Sequence, residues 1–326
     1  MNVLAVADDS FAVGIDLGGT QVRAALVDGR GTLLARAAQP TDKAGGPKAV
    51  LGQMQSLVHE VSRKVGLDKV PAVGVASPGP LDARAGVILT IPTLPGWVDI
   101  PLVAWLSDWL GKPVTLGNDG VVAAIGEWHF GAGRGLQDFV YVTVSTGIGG
   151  GVIADGRVLQ GRRSLASHLG HMTIEASGPV CQCGNPGCWE ALASGTALGA
   201  NARAAVLQHP ASRLAALTEP LTGQHVFEAA AQGDAIAKEL VADEGRWLGV
   251  GIVNLLHMYS PELIVIGGGV SNGFELLHPI IRQHVDRYAM PPFRSVPIVR
   301  AALGSDSGLV GAAALAFMSL ADAGRG

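Results

Sequence analysis

The sequence predicts an α/β protein made of two related lobes, and three observations lead to that prediction. The chain has 326 residues, which is long for one hydrophobic core and suits two. Short apolar runs alternate with longer helical segments, as in α/β folds. Two glycine-rich strand–loop–strand units of matching design begin at Phe11 and at Phe139. A repeated supersecondary unit favours two lobes of related architecture.

The individual elements follow from apolar runs that end at Gly, Pro, Asn or Asp. Strands are predicted at 11–16, 21–27, 32–36, 70–76, 114–116, 139–144, 149–154, 158–160, 262–266 and 296–301. Helices are predicted at 120–130, 194–207, over most of 222–259, near 274–288 and at 307–320.

Composition excludes several classes of protein. Hydrophobic residues make up 48% of the chain and charged residues 15%, which argues against disorder. The net charge of -4, without a long run of Lys or Arg, argues against a nucleic-acid partner. Mean hydropathy is +0.34, yet the apolar stretches fall short of the roughly 20 residues that span a membrane. Residues 1–10 lack the basic start of a signal peptide, so we expect a cytoplasmic protein without a membrane partner.

Two glycine-rich loops are candidate phosphate sites. The first comprises Asp16, Gly18, Gly19 and Thr20, and the second comprises Ser145, Thr146 and Gly147. Phosphate oxygens approach a backbone closely where side chains are absent, and a carboxylate can hold magnesium through water. Each loop alone would more often be an ordinary hairpin turn. Their recurrence in two units favours the phosphate interpretation.

A third glycine run follows a predicted buried strand and comprises Gly267, Gly268 and Gly269. It could pack against an adenine ring, or it could let a helix lie close to a sheet. The sequence favours neither alternative.

The most specific signal is a set of metal ligands, His171, Cys181, Cys183 and Cys188. Three thiolates and one imidazole complete a tetrahedral zinc site. Three cysteines cannot pair fully as disulfides, and the competing interpretation is a chance cluster of buried thiols. With four protein ligands the site is closed, so the predicted zinc is structural.

Asp119 is the candidate catalytic residue, because it lies at a predicted strand end just before a helix. A kinase needs a carboxylate near the acceptor hydroxyl to take its proton. Asn and Asp are also favoured helix N-caps, so the sequence supports capping by Asn118 and Asp119 as well as it supports catalysis. One residue can serve in both roles. His168 lies three residues before His171, so the two would share a face of a helical turn. Glu190, two residues after Cys188, would be held rigidly by the metal loop. Taken singly, each is more often an ordinary polar residue.

These residues resemble the ROK family of sugar kinases and repressors over nearly the whole chain. The specific part runs from Gly170 and His171, through nine residues, to the segment Cys181–Glu190, which reads CQCGNPGCWE. Weaker matches occur at 16–20, 77–81, 118–120, 126–127, 145–151 and 267–269.

The resemblance implies an actin-like fold, of the ribonuclease-H or hexokinase type, with an active-site cleft between duplicated lobes. It places residues 1–119 and 306–326 in one lobe and 120–305 in the other, with the zinc loop at 171–188. The glycine loops would bind ATP with Mg²⁺, and Asp119 would deprotonate the sugar 6-hydroxyl. Homodimers or homotetramers are usual in the family. The predicted sugar-binding residues are Ser77, Gly79, Thr93, Asn118, Asp119, His168, His171 and Glu190.

Two departures bear on the sugar. Most family kinases carry Glu where this chain has His168, whereas bacterial N-acetylmannosamine kinases look like this chain; Thr93 replaces a common Asn. Carboxylate only accepts hydrogen bonds, whereas neutral imidazole donates one and accepts one. The predicted function is therefore ATP-dependent phosphorylation of a hexose or N-acetylhexosamine at the 6-hydroxyl, with N-acetylmannosamine favoured. Glucose, N-acetylglucosamine and mannose are alternatives.

Three further alternatives remain at the level of sequence. A sugar-responsive repressor would need an N-terminal helix-turn-helix domain, for which the position of Asp16 leaves no room. A non-catalytic sugar-binding protein would have lost activity through His168. A kinase that uses polyphosphate instead of ATP would differ in the charge of its cleft.

Overall fold

The computed structural model describes residues 6–323, and the chain divides into two compact units. Within the described residues, unit 1 contains 6–137, 151–167 and 301–323, and unit 2 contains 138–150 and 168–300. This division differs from the predicted one, because residues 120–137, 151–167 and 301–305 join unit 1. The ends of the predicted first lobe, 1–5 and 324–326, lie outside the described residues.

Thirteen strands and nine helices form the regular structure of the described residues. In chain order the strands are β1 (Phe11–Leu17), β2 (Gln21–Asp28), β3 (Leu33–Pro40), β4 (Val73–Ser77), β5 (Leu81–Asp82), β6 (Val87–Thr90), β7 (Val98–Ile100), β8 (Val114–Asn118), β9 (Phe139–Val144), β10 (Ile148–Ala154), β11 (Arg157–Val158), β12 (Leu263–Gly267) and β13 (Ile298–Arg300). The helices are α1 (Gly46–Ser62), α2 (Leu102–Leu110), α3 (Asp119–Phe130), α4 (Trp189–Ala193), α5 (Gly195–Gln208), α6 (Gly223–Ala231), α7 (Ala235–Tyr259), α8 (Phe274–Tyr288) and α9 (Ser307–Ala323).

The two five-stranded sheets share one topology. Their strand orders are β3-β2-β1-β4-β8 and β11-β10-β9-β12-β13. In the first sheet β1 pairs antiparallel with β2 and parallel with β4, and in the second β9 pairs parallel with β12. The outer pairs β4/β8 and β12/β13 are also parallel. The duplicated α/β arrangement predicted from the sequence is confirmed.

The first sheet is covered by helices on both faces. Alternate residues of β1, such as Val13 and Ile15, face a core completed by α1, α2 and the small sheet β5–β7. The opposite face carries Ala12 and packs against Leu309 and Phe317 of α9. Burial of alternate apolar residues is the expected behaviour of a strand in a sheet covered on both faces.

Glycines in the strands let α9 lie directly on the sheet. A Cβ on Gly14 would be 2.0 Å from the Leu309 carbonyl oxygen, and one on Gly74 would be 1.8 Å from that of Ala312. No side chain fits at either position, so α9 is held at backbone contact distance. The window Gly304–Ala321 is apolar and long enough to be a candidate membrane span. Half of that window is buried inside the protein, as expected of a core helix.

Two parts of unit 1 were not predicted. Helices α1 and α2 were missed, as was the sheet β5–β7. Helix α3 was assigned to the second lobe, but it packs against α9, which explains why residues 120–130 belong to unit 1.

Unit 2 is built around the long helix α7, which contacts α4, α5, α6 and α8. The predicted helical stretch 222–259 is broken because Gly233 adopts a φ of +91° and Asp234 caps α7 by accepting from the Ala237 N–H. Trp189 at the start of α4 is fully buried, and its indole N–H donates to the Trp247 carbonyl oxygen of α7 at 3.0 Å. A Cβ on Gly251 would lie 2.1 Å from the Trp189 ring, so α7 offers a flat surface to the indole.

Candidate functional site

The first glycine loop joins β1 to β2 in unit 1. The Gly18 N–H donates to the Gln21 carbonyl oxygen at 2.9 Å, which closes the turn. Thr41 holds the loop from the end of β3: its hydroxyl donates to the Gly18 carbonyl oxygen at 2.7 Å, and its N–H donates to that of Thr20 at 2.9 Å. Thr41 was not predicted, because a single threonine after a strand carries no sequence signal. The loop is a fixed hairpin with accessible backbone.

Asp16 lies at the end of β1 beside this loop. Its carboxylate is paired with Arg23 of β2, whose Nε is 3.1 Å from Oδ2. A Cβ on Gly308 of α9 would approach the same carboxylate to 3.3 Å, so α9 begins directly against Asp16. Arg23 was missed in the sequence, since an arginine in a strand has no motif of its own.

The other predicted residues of unit 1 have different degrees of access. Thr93 is exposed, and a Cβ on Gly19 would lie 3.0 Å from its hydroxyl, so Thr93 stands beside the phosphate loop. Gly79 is partly exposed. Ser77 is fully buried and donates to the Pro78 carbonyl oxygen at 2.9 Å, so its side chain supports the turn.

Asn118 and Asp119 form the junction between β8 and α3. Asn118 is the N-cap of α3, and both its Oδ1 (3.1 Å) and the Asp119 Oδ1 (2.8 Å) accept from the Gly120 N–H. Asp119 as a residue has exposed surface, although its carboxyl group is enclosed by neighbouring protein. The surrounding protein raises its pKa to about 6, the Gly120 hydrogen bond opposes that shift, and the negative charge of Asp16 adds to it. A carboxyl whose pKa is raised towards neutrality is suited to general base chemistry.

The second glycine loop joins β9 to β10 and is held by α4 and α5 of unit 2. The Ser145 carbonyl oxygen accepts from the Gly195 N–H at 2.7 Å, and that of Thr146 accepts from the Thr196 hydroxyl at 2.7 Å. A Cβ on Gly147 would be 2.2 Å from Glu190 Oε2. The same oxygen accepts from the Ile148 N–H at 2.9 Å. Glu190 therefore braces the loop, and Gly147 leaves room for its carboxylate.

The third glycine run comes close to this loop. Gly267 is buried against the Tyr141 hydroxyl, and Gly268 adopts a φ of +83° and packs against the Val144 carbonyl oxygen. Gly269 is exposed, and the nearest atom to a Cβ there is Ser145 Oγ at 3.9 Å. Gly267 and Gly268 thus serve close packing, whereas Gly269 leaves accessible space beside the loop.

The four predicted metal ligands of unit 2 come together. One donor atom from each of His171, Cys181, Cys183 and Cys188 lies within 4.8 Å of all the others. Cys183 and Cys188 have their sulfurs 3.6 Å apart, and Cys181 Sγ is 3.7 Å from His171 Nδ1. A tetrahedral ion bound at about 2.3 Å would separate its sulfur ligands by about 3.8 Å. Donor chemistry and spacing both fit zinc.

The backbone around this cluster needs its glycines. Gly187 adopts a φ of +65°, and a Cβ there would be 1.5 Å from the Glu175 carbonyl oxygen. Gly170, just before His171, is pressed against the Ile148 carbonyl oxygen. These contacts tie the cluster to β10, and Glu190 Oε1 lies 3.8 Å from Cys181 Sγ on its other side.

His168 is exposed, and its ring centroid is 6.2 Å from that of His171. Enclosure by protein lowers the pKa of His168, and the neighbouring His171 lowers it further. A neutral imidazole next to a metal-cluster ligand offers one donor and one acceptor.

Glu127 of α3 is a further site-supporting residue that the sequence did not single out as functional. It is fully buried and accepts hydrogen bonds from the Ala132, Ala302 and Leu303 N–H groups and from the Ser307 hydroxyl. It connects α3 to the segment that leads into α9, and thereby to the helix start beside Asp16.

Duplicated α/β sheets with glycine hairpins and a tight Cys₃His cluster are the features of actin-like phosphotransferases with a thiolate metal loop. The chain belongs to the ROK family, whose model matches residues 12–318. The resemblance and the fold class inferred from the sequence are both confirmed.

Relatives with established names support the same class. A glucokinase from Thermotoga maritima is 36% identical over 93% of this chain and 96% of its own. An N-acetylmannosamine kinase from Yersinia pseudotuberculosis is 31% identical over 94% and 99%. The chain is also similar to the structure of a ROK family glucokinase from Streptomyces griseus in complex with glucose and AMPPNP. The two sequences are 33% identical, the TM-score is 0.83, and the match covers 95% of this chain and 100% of that one.

Proposed function

We propose that this protein is an ATP-dependent kinase that phosphorylates the 6-hydroxyl of a hexose or N-acetylhexosamine. The observation that carries the proposal is Asp119, whose carboxyl has a pKa raised to about 6 and which follows β8 in the same sheet as Asp16 of β1. In phosphoryl transfer the protein mainly positions the reactants and neutralises charge, and a carboxylate accepts the proton of the attacking hydroxyl. The named relatives support the same assignment.

The donor side of the reaction would use the two glycine hairpins. Backbone N–H groups of Gly18–Thr20 and of Ser145–Gly147 would hold the phosphates, and Gly269 leaves room for the base of ATP. Asp16 supplies hard oxygen ligands of the kind that Mg²⁺ and its water shell prefer. Bound Mg²⁺ would neutralise phosphate charge. The chain's own contribution is to keep these groups fixed, because each hairpin is tied to neighbouring elements.

The acceptor side would use Asn118, Asp119, His171 and Glu190. Thr93 and Gly79 of unit 1 would contribute further contacts to the sugar. The zinc proposed for the Cys₃His cluster would be a structural ion. It would fix His171 directly, and it would steady Glu190, whose carboxylate already contacts both Cys181 and the Ile148 N–H. A support of this kind keeps a sugar-binding carboxylate in one orientation.

For the sugar itself we propose N-acetylmannosamine. His168 supports this choice, since an imidazole beside His171 provides a donor and an acceptor where a carboxylate would only accept. Glucose is the main alternative, favoured by the 36% identity to a glucokinase against 31% to an N-acetylmannosamine kinase. N-acetylglucosamine and mannose would fit the same machinery.

The test is a coupled ADP-release assay with Mg-ATP against N-acetylmannosamine, N-acetylglucosamine, glucose and mannose, compared by kcat/KM. Asp119→Asn should lower kcat by a factor of about 100 or more with the fold intact, since general base catalysis contributes that much. His168→Glu should shift preference towards glucose, and His168→Gln, which keeps a donor and an acceptor, is its matched control. Normal turnover by Asp119→Asn would refute the base. A preference for glucose in the unmodified protein would refute the sugar assignment and leave the kinase intact.

Two further expectations complete the proposal. Replacing ATP by polyphosphate should abolish turnover; this is checked by measuring the sugar phosphate directly, because polyphosphate yields no ADP. We also propose a cytoplasmic homodimer or homotetramer; light scattering behind size-exclusion chromatography would give the mass in solution relative to the 33.3 kDa chain.

A further inference from the structure

Arg23 on β2 has contacts that the proposed function does not use. Its Nε donates to Asp16 Oδ2 at 3.1 Å, and its Nη2 pairs with the same oxygen. The remaining nitrogen, Nη1, donates to the Ser305 carbonyl oxygen at 3.2 Å. Both partners are mostly enclosed, with side chains 22% (Arg23) and 17% (Asp16) exposed. The guanidinium is therefore fixed by two contacts with the Asp16 carboxylate and one contact with the turn at Ser305.

Few other charges surround this pair. Asp119 directly follows β8, which lies two strands from β1 in the same sheet: Asp16 is aligned with Ala76 of β4, and Ala76 with Gly117 of β8. The negative charge of Asp16 acts on Asp119 over this short span and raises its pKa. The Arg36–Asp306 ion pair, 3.0 Å long, lies on β3 and on the turn that precedes α9. The neighbouring strand β4 and the start of α9 contribute uncharged residues, such as Ser77 and Gly308. Arg23 is thus the cation in direct contact with Asp16.

A bare carboxylate near Asp119 would favour the protonated form of Asp119, because two negative charges repel. A guanidinium on that carboxylate turns a full charge into an ion pair, whose field is weaker at the position of Asp119. We propose that Arg23 is a positioning residue that compensates the charge of Asp16 and so keeps Asp119 free to accept a proton at neutral pH. The catalytic consequence rests on the proposed kinase function, but the electrostatic coupling does not require any substrate.

The coupling can be measured directly in the protein without ligands. Carboxyl ¹³C NMR of aspartate-labelled protein gives the titration of Asp119, whose signal is identified by its loss in Asp119→Asn. Arg23→Gln keeps a hydrogen-bond donor to Asp16 but removes the charge, and Arg23→Met removes both. Each should raise the pKa of Asp119 by roughly half a pH unit or more. Asp16→Asn should lower it, and Arg23→Lys should leave it close to that of the unmodified protein.

Arg36→Met is the matched control. It removes one positive charge from the same region by breaking the contact with Asp306, which leaves the Arg23–Asp16 pair intact. The Asp119 titration should not change in this variant. Circular dichroism on each variant verifies that the fold is preserved, and Arg23→Gln replaces Arg23→Met if the latter does not fold.

The proposal is overturned if both uncharged Arg23 variants titrate as the unmodified protein does, or if Arg36→Met shifts Asp119 as much as they do. A second measurement separates this proposal from the kinase assignment. The acid limb of kcat/KM should move to higher pH in Arg23→Gln by the amount seen in the NMR titration. A shifted NMR titration in a protein that phosphorylates no sugar would contradict the proposed function alone. Turnover with unshifted titrations would contradict the role of Arg23 alone.

Discussion

Glu127 allows a quantitative test of how the structure supports the site. Its Oε2 accepts from the Ala132 and Ala302 N–H groups at 2.9 and 3.1 Å, and its Oε1 accepts from the Leu303 N–H and the Ser307 hydroxyl at 2.8 and 3.1 Å. The residue has no exposed surface. Replacement by alanine would leave four donors without this acceptor inside the protein.

The magnitude follows from the two possible replacements. In Glu127→Ala each lost hydrogen bond costs about 1 kcal/mol net, and an unsatisfied buried donor costs about 1–3 kcal/mol, so we expect about 4–6 kcal/mol in total. In Glu127→Gln the amide nitrogen can replace Oε1 and donate to the Ser307 oxygen, since the Ser307 hydroxyl also reaches the Gly304 carbonyl oxygen at 2.9 Å. Only the Leu303 N–H then faces a donor, and we expect a loss of about 2 kcal/mol.

The assay is urea denaturation followed by tryptophan fluorescence, with the change in midpoint converted to a free energy of unfolding. Glu60→Gln is the matched control, because Glu60 is exposed on α1 of the same unit and the chemical change is identical. It should stay within about 0.5 kcal/mol of the unmodified protein. If Glu127→Gln unfolds at the same midpoint as Glu60→Gln, loss of the Leu303 contact does not destabilise the protein and the reasoning is refuted.

Three further predictions concern other parts of the molecule. Cys183→Ser should lose bound metal and sugar affinity before it loses global stability. The control Val180→Ser, which changes an exposed neighbour, should keep both. Elemental analysis measures the metal, and calorimetric titration measures the sugar affinity. Because burial raises the pKa of Asp119 from 3.8 to about 6, its ionisation destabilises the folded state progressively as the pH rises between these values, and fully above pH 6. Asp119→Asn should therefore raise the melting temperature at pH 7.5 and hardly at pH 4; equal shifts at both pH values would contradict this. Gly251→Ala should lower the free energy of unfolding by about 1–3 kcal/mol, because its methyl group would collide with the buried Trp189 ring. Gly52→Ala, with open space around it, should not destabilise the protein, and thermal melts compare the two variants.

The parts of the site that sequence reasoning found are those fixed by local chemistry. The Cys₃His cluster was predicted completely, because ligand identity and spacing encode a tetrahedral site within a short segment. The glycine loops were predicted because close backbone approach needs glycine, and their recurrence distinguished them from isolated turns. Most strands and helices followed from the periodicity of their apolar residues.

The parts that it missed depend on contacts far apart in the chain. Glu127 belongs to a weak match to the family at 126–127, but its structural role was missed, because its partners Ala302 and Leu303 are 175 and 176 residues away and leave no local pattern. Arg23 pairs with Ser305 in the same way. The boundary at residue 119 was misplaced for the related reason that α3 is held by α9, which comes from the other end of the sequence.

Helix α3 carries two carboxyl groups whose surroundings assign them opposite roles. Asp119 at its start has exposed surface, and its carboxyl accepts from the Gly120 N–H and the Asn118 side chain, which leaves acceptor capacity for a proton. Glu127 near its end is sealed from solvent, and its oxygens are used by four donors that belong to the protein. The same functional group is a candidate base in one place and a structural acceptor in the other, because its reactivity is set by unoccupied lone pairs and access to a substrate. Glu127 also ties α3 to the segment that delivers Ser305 to Arg23 and Gly308 to Asp16. Glu127 thereby holds in place the segment that contacts Arg23 and Asp16, and the charge of Asp16 acts on Asp119.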